Sequence, residues 1–341
     1  MTAISSITEL LSLSNSQYRV YDLGRKIEKL SKEVFNKIEQ CQLPHPSPIQ
    51  GHAHIAIAFW QKQSVQPYIW FIKLPLDERG LLNLGARNHF IAIIVEALGG
   101  DLSADPTEKQ QQLLQSNPYL FTPSQYKLAM LNSLLKAELK QQASEHYQKF
   151  RYYLKQQNWA NWQEVGVQGI TDFTARLNEN KNTELLINAL NHLPFEVLSP
   201  LCGALEHCLL PLPLVEKILK MINQIAPEGA DKQQMLLRSL ASSCSHPFVD
   251  QHIASLLEQE TLSDNLLITL TGRCWQAINS SERAMLLLEH LVAQDEELFP
   301  AIFKDLVAIP SVRPLLFQCM RAPERSQALS KAIGQLFNPQ S

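Results

Sequence analysis

The apolar positions between Ile55 and Gly99 set the frame for the chain. His54-Ile-Ala-Ile-Ala-Phe-Trp60 and Tyr68-Ile-Trp-Phe-Ile-Lys-Leu74 are short, β-branched and aromatic, the composition of strands. The polar run Gln61 to Pro67 between them predicts a hairpin. With a period of two, Ile55, Ile57 and Phe59 share one face, and Ala56, Ala58 and Trp60 the other. Both faces are apolar, so both are expected to be covered, the alanine face by a close-packed helix. Pro75-Leu-Asp-Glu-Arg-Gly80 then reads as a turn. Asn83 is placed to cap a helix running to about Leu98, apolar nearly all round and hence buried, ended by Gly99-Gly100.

Ahead of this stretch, Ile4, Ile7 and Leu11 mark one side of a short helix over 4–13, and Tyr18-Arg-Val-Tyr21 is a candidate strand. Ile27, Leu30, Val34 and Ile38 form a single stripe, which predicts a helix entered from Asp22-Leu-Gly-Arg25. Glu28–Lys32 and Glu33–Lys37 would be i,i+4 pairs outside that stripe. Pro44, Pro46 and Pro48 mark a loop. The order is α, β, α, β, β, α: a small α+β domain over 1–103 with about three antiparallel or mixed strands.

Beyond Asp101 to Pro106 the pattern is helical throughout. Segments 110–116, 123–141 and 144–156 are followed by runs starting near Thr183, Pro194, Pro213, Asp231, Pro247, Ser263, Ser280, Pro300, Pro310 and Pro323. Many starts carry a proline, which the first helical turn tolerates. A pair of helices takes roughly 30–40 residues, the rhythm of helical repeats. The fold class expected is therefore α+β, with an all-α, HEAT-like solenoid over 104–341. The alternative is a non-repeating helical domain.

Composition supports an ordered protein: of 341 residues 45% are apolar and 18% charged, with a net charge of −3. Up to Ser103 there are 10 basic and 9 acidic residues, and 20 and 24 thereafter. Neither part is a basic arm or an acidic tail. The six cysteines, 41, 202, 208, 244, 274 and 319, form no C-x-x-C pair, and the later five sit in apolar runs. They read as reduced and buried. The N-terminus lacks a basic region ahead of an apolar one, and no run approaches a membrane span of about 20 residues. A cytoplasmic protein without a membrane span is expected.

Candidate chemistry is sparse. No nucleophile elbow, phosphate loop, H-E-x-x-H or dinucleotide fingerprint is present, so no catalytic residue and no cofactor is assigned. One candidate binding set is Asp77, Glu78 and Arg79 in the charged turn with Arg87 and His89 on the next helix. That helix's N-terminus could attract an anion; the plainer reading is a solvated turn. A second lies in His146–Trp162, where three bases and six aromatics fall within 17 residues. Tyr152, Tyr153, Trp159 and Trp162 could stack on nucleic acid or seat a protein partner. Tyr147, Phe150 and Leu154, however, are spaced as a packing face, and the acidic balance of the helical part argues against nucleic acid. His52 and His54 share a strand face but have no third metal ligand nearby in sequence, so no metal is assigned.

Leu74-Pro-Leu-Asp-Glu-Arg-Gly-Leu-Leu-Asn-Leu-Gly-Ala-Arg-Asn-His-Phe90, after an aromatic strand and ahead of a helical remainder, resembles an uncharacterised bacterial family of about this length, known only as a domain of unknown function. The resemblance implies a bacterial cytosolic protein and no activity, cofactor or site residue. The function expected from the pattern itself is protein interaction or scaffolding on a helical-repeat surface. The alternative is an enzyme or an anion- or metabolite-sensing module on the N-terminal domain. Neither the partner's identity nor the oligomeric state follows from the sequence.

Overall fold

The computed structural model describes residues 4–61, 67–98, 107–226, 229–294 and 298–337. The chain forms two compact units: Met1–Pro123 with Val307–Arg313, and Ser124–Leu306 with Pro314–Ser341. The boundary expected at 101–106, the Gly99-Gly100 helix stop and most of the hairpin loop lie outside the described residues.

The first unit holds a four-stranded antiparallel sheet, β1 (Gln17–Asp22), β2 (Glu28–Leu30), β3 (His52–Trp60) and β4 (Tyr68–Pro75), in the order β2-β1-β3-β4. Four strands replace the three expected. The extra one, β2, occupies the start of the predicted helix. Ser31 is the reason: its hydroxyl accepts the amide of Val34 and starts α2 (Lys32–Glu39) only there, leaving Glu28–Leu30 extended against β1. Lys37 still pairs with Glu33 at 2.7 Å, whereas Glu28 pairs with Lys26 at 3.0 Å and Lys32 lies over the Tyr18 ring.

The other helices of this unit are α1 (Ile7–Leu13), α3 (Leu84–Leu98) and α4 (Glu108–Gln115). Asn83 caps α3 through the amide of Ala86, as its position predicts. Both faces of β3 are buried, and helices α1, α2 and α3 pack on its bulky face. Ile55, Ile57 and Phe59 share one core with Ile7 and Leu11 of α1, Phe35 and Ile38 of α2, and Phe90, Ile91 and Ile94 of α3. Ala56 and Ala58 are buried outside that core. At the far edge of β4, Lys73 donates to the Tyr119 carbonyl and Phe121 to that of Phe71, so the chain after α4 covers the exposed edge.

The second unit is helical: α5 (Gln125–Glu138), α6 (Glu145–Gln156), α7 (Val167–Thr174), α8 (Asn182–Ala189), α9 (Phe195–Leu205), α10 (Leu212–Asn223), α11 (Ala230–Ser239), α12 (Pro247–Leu257), α13 (Asp264–Gly272), α14 (Ser281–Val292), α15 (Leu298–Val307), α16 (Arg313–Cys319) and α17 (Gln327–Phe337). The helix α7 has no counterpart in the sequence reading. Packing follows a simple rule. From α5 to α13 each odd-numbered helix packs on the next odd one, and from α6 to α14 each even one on the next even one. The hydrogen bonds repeat this offset. Asn182 donates to the Tyr147 hydroxyl, Arg238 to the Glu206 carboxylate, Ser242 to the Glu206 carbonyl and Arg283 to Asp250, while His290 bonds the Leu257 carbonyl, all across 32 to 36 residues.

The junction of α5, α6 and α7 is fixed by one carboxylate. Asp172 is fully buried; its Oδ1 accepts Ser133 Oγ at 2.8 Å, and its Oδ2 accepts the Ser144 amide at 2.9 Å and hydroxyl at 2.6 Å. Burial alone would raise its pKa, but these donors, with Arg176 at 3.6 Å, hold it below the ordinary value. Gly169 lets α7 approach α6 closely, since a Cβ there would stand 2.6 Å from the His146 carbonyl oxygen.

Candidate functional site

The turn-and-helix set of the first unit divides into separate local bonds. Asp77 caps its own turn, accepting the amides of Arg79 and Leu81 at 2.9 and 2.8 Å, and its carboxylate pairs with the Arg79 side chain at 3.1 Å. Glu78 is exposed beside it. Arg87 is buried and donates to the Glu39 backbone carbonyl and, at 2.8 Å, to Asn88 Oδ1. His89 bonds the Tyr119 hydroxyl at 3.2 Å. Arg87 thus ties α3 to the C-terminal end of α2, which satisfies carbonyls the helix itself leaves open.

The aromatic set on and after α6 also divides. Tyr153 is buried, with its ring edge-on to Trp159 at 5.5 Å and its hydroxyl donating to the Trp159 carbonyl. Trp159 in turn stacks on His192. Tyr152 is exposed, and it lines with Tyr153 a groove of about 720 Å³ that also takes in Lys149, Gln156, Asn158 and Glu164. Trp162 is half-buried. No row of parallel exposed rings results.

The side chains that converge most closely lie elsewhere, at the ends of three odd-numbered helices. Glu206 follows α9, and its carboxylate is buried where the helix dipole already points negative. Two cations make that position tenable. Arg238, from the last turn of α11, closes a fork on it, with Nη2 2.8 Å from Oε1 and Nε on Oε2. Arg273, at the end of α13, places Nε 3.3 Å from Oε2. Both arginines sit at helix C-termini, where positive charge is favoured. The Arg238 guanidinium passes over Gly203, where a Cβ would meet Nη2 at 3.6 Å, an ordinary contact.

These contacts decide the charge states. Burial would raise the Glu206 pKa, but the Arg238 hydrogen bond and the neighbouring charges outweigh it and hold the group below its ordinary value. Burial drives His207 down to about 3, so its ring is neutral near pH 7. Burial also pushes the Cys202 and Cys208 thiols up to about 12, which leaves them poor nucleophiles. The cluster holds opposite charges in fixed places without an activated nucleophile.

It also lines a cleft of about 470 Å³. Tyr126 and Lys127 of α5, Thr171 of α7, Glu206 after α9, Arg238 of α11 and Arg273 after α13 contribute to its wall. The cleft thus crosses the odd-numbered helices from α5 to α13. Its lining carries three cationic side chains against one carboxylate, with polar and apolar surface mixed. Sequence reading missed it, although a signal was present. Glu206 and Arg273 each follow a helix and Arg238 lies in the last turn of one, at about the helix-pair interval.

Among the described residues no group of three His, Cys, Asp or Glu is placed to hold a metal ion, and no helix is long and apolar enough to cross a membrane. No curated protein and no solved structure matches the chain. A family match does extend over residues 2–337, nearly the full length. The chain belongs to the family described as protein of unknown function (DUF3549).

Proposed function

We propose that this chain is a protein-interaction module, a helical-repeat array that holds an extended segment of another protein along its odd-numbered helices. The observation that carries this reading is the cleft itself, which crosses five successive members of one helix series. Stacked helix pairs characteristically present such a surface to a partner. The offset of 32 to 36 residues between bonded layers supports the repeat reading. The six cysteines are free thiols, four of them buried, which fits a reducing, cytoplasmic setting.

A photo-crosslinking residue placed at Tyr126, which is 61% exposed at the cleft, tests this in the native host. Leu13 of α1, exposed to 67%, serves as the control position. A discrete protein adduct formed from position 126 and not from position 13 is expected. Equal labelling from both positions, or no protein adduct from 126, refutes the proposal.

A further inference from the structure

The composition of the cleft wall defines its occupant more closely. Resting on the reading above, we infer that the cleft recognises an acidic segment of a partner protein, one carrying at least two neighbouring carboxylates. Lys127, Arg238 and Arg273 line the cleft together with one carboxylate, the buried Glu206, and His207 adds no charge near neutral pH. The Arg238 and Arg273 side chains keep 39% and 35% of their surface in solvent. Arg238 uses Nε and Nη2 on Glu206, while its Nη1 makes no hydrogen bond among the described residues. Glu206 therefore holds the guanidinium in place, so little ordering remains when a ligand carboxylate meets its outer edge. Tyr126 adds an exposed ring at the rim and the half-buried Pro200 adds apolar wall, surfaces suited to a peptide. A small free anion would leave them uncovered. Nucleic acid would call for a long basic track, and the helical part has more acidic than basic residues.

The test uses fluorescence anisotropy on the full chain with three labelled probes: a peptide alternating Glu and Leu, the same peptide with Gln for Glu, and an RNA oligonucleotide of equal charge. Inorganic phosphate is added as a competitor. Lys127→Glu is compared with Lys155→Glu, a charge reversal on the exposed end of α6, after circular dichroism has shown both variants folded. The acidic peptide should bind at least about tenfold more tightly than the neutral one, as one charge-assisted contact implies. Lys127→Glu should weaken it by a similar factor and Lys155→Glu by less than about twofold. Equal binding of the two peptides, tighter binding of RNA, full displacement by millimolar phosphate, or equal effects of the two variants would overturn the inference. A crosslink at position 126 together with failure here would leave the interaction module standing and remove only its acidic partner. Absence of that crosslink would remove the module itself.

Discussion

Removing Arg238 should cost more than removing its partner, and the cost should grow with pH. In Arg238→Ala the Glu206 carboxylate stays where water hardly reaches it, since only 3% of its side chain is exposed. In Glu206→Gln the arginines left behind already reach solvent and can rehydrate. A hydrogen bond to a charged group contributes about 1.5–3 kcal/mol, and Arg238 makes two. With the guanidinium more than a third exposed, solvent screening reduces the sum, giving a loss of about 2–4 kcal/mol. Glu206→Gln should lose about half as much. The pH dependence follows from the direction of the pKa shift. In the native protein Glu206 titrates below its unfolded value of 4.5, so its contribution is complete above that pH and fades as pH falls through the folded value. Without Arg238 the main lowering influence is gone and burial pushes the pKa up. The charged carboxylate then opposes folding increasingly as pH rises. Urea titrations followed by circular dichroism and by tryptophan fluorescence, between about pH 4 and 7, read both effects. Trp275, buried two residues from Arg273, reports locally. A stability gap independent of pH, or a larger loss for Glu206→Gln than for Arg238→Ala, would refute the argument.

Two further outcomes concern the frame of the helical unit. Asp172→Asn should destabilise by about 3–5 kcal/mol in urea titration, because an amide nitrogen would face the Ser144 donors and Arg176 would lose its buried counter-charge; a loss under about 1 kcal/mol would contradict this. Gly169→Ala should cost about 1–3 kcal/mol by driving a Cβ against the α6 backbone. The same change at Gly203, where the nearest atom is 3.6 Å away, should stabilise by about 0.5–1 kcal/mol through helix propensity. Thermal melts that move both variants in one direction would be inconsistent with this packing.

The parts of the fold legible in sequence are those where a local signal agrees with the long-range packing. The period-two pattern of Ile55, Ile57 and Phe59 and the cap at Asn83 suffice for β3 and for the start of α3. The same stripe logic fails at Ile27 and Leu30, because three residues of strand fit a helical spacing as well and the Ser31 cap decides between them. Helix α7 was illegible for the opposite reason. Val167, Gly169, Thr171 and Thr174 are poor helix formers, and the helix depends on buried contacts made through Asp172. The cleft combines both difficulties. Lys127, Glu206, Arg238 and Arg273 are ordinary solvent-facing residues when read one helix at a time. Only the stacking of odd-numbered helices brings them together.

The even spacing of bonded layers bears on how the helical unit acquires its structure. A partner about 35 residues away is met by closing a loop of nearly constant length, from Tyr147 with Asn182 to Leu257 with His290. Loop-closure entropy varies only with the logarithm of that length, so each layer meets almost the same entropic barrier as the one before it. Contacts of such short sequence separation favour rapid folding. As the chain emerges in synthesis, α5, α6 and α7 can gather around Asp172 before α8 exists, and each later pair of helices then finds a finished surface on which to order.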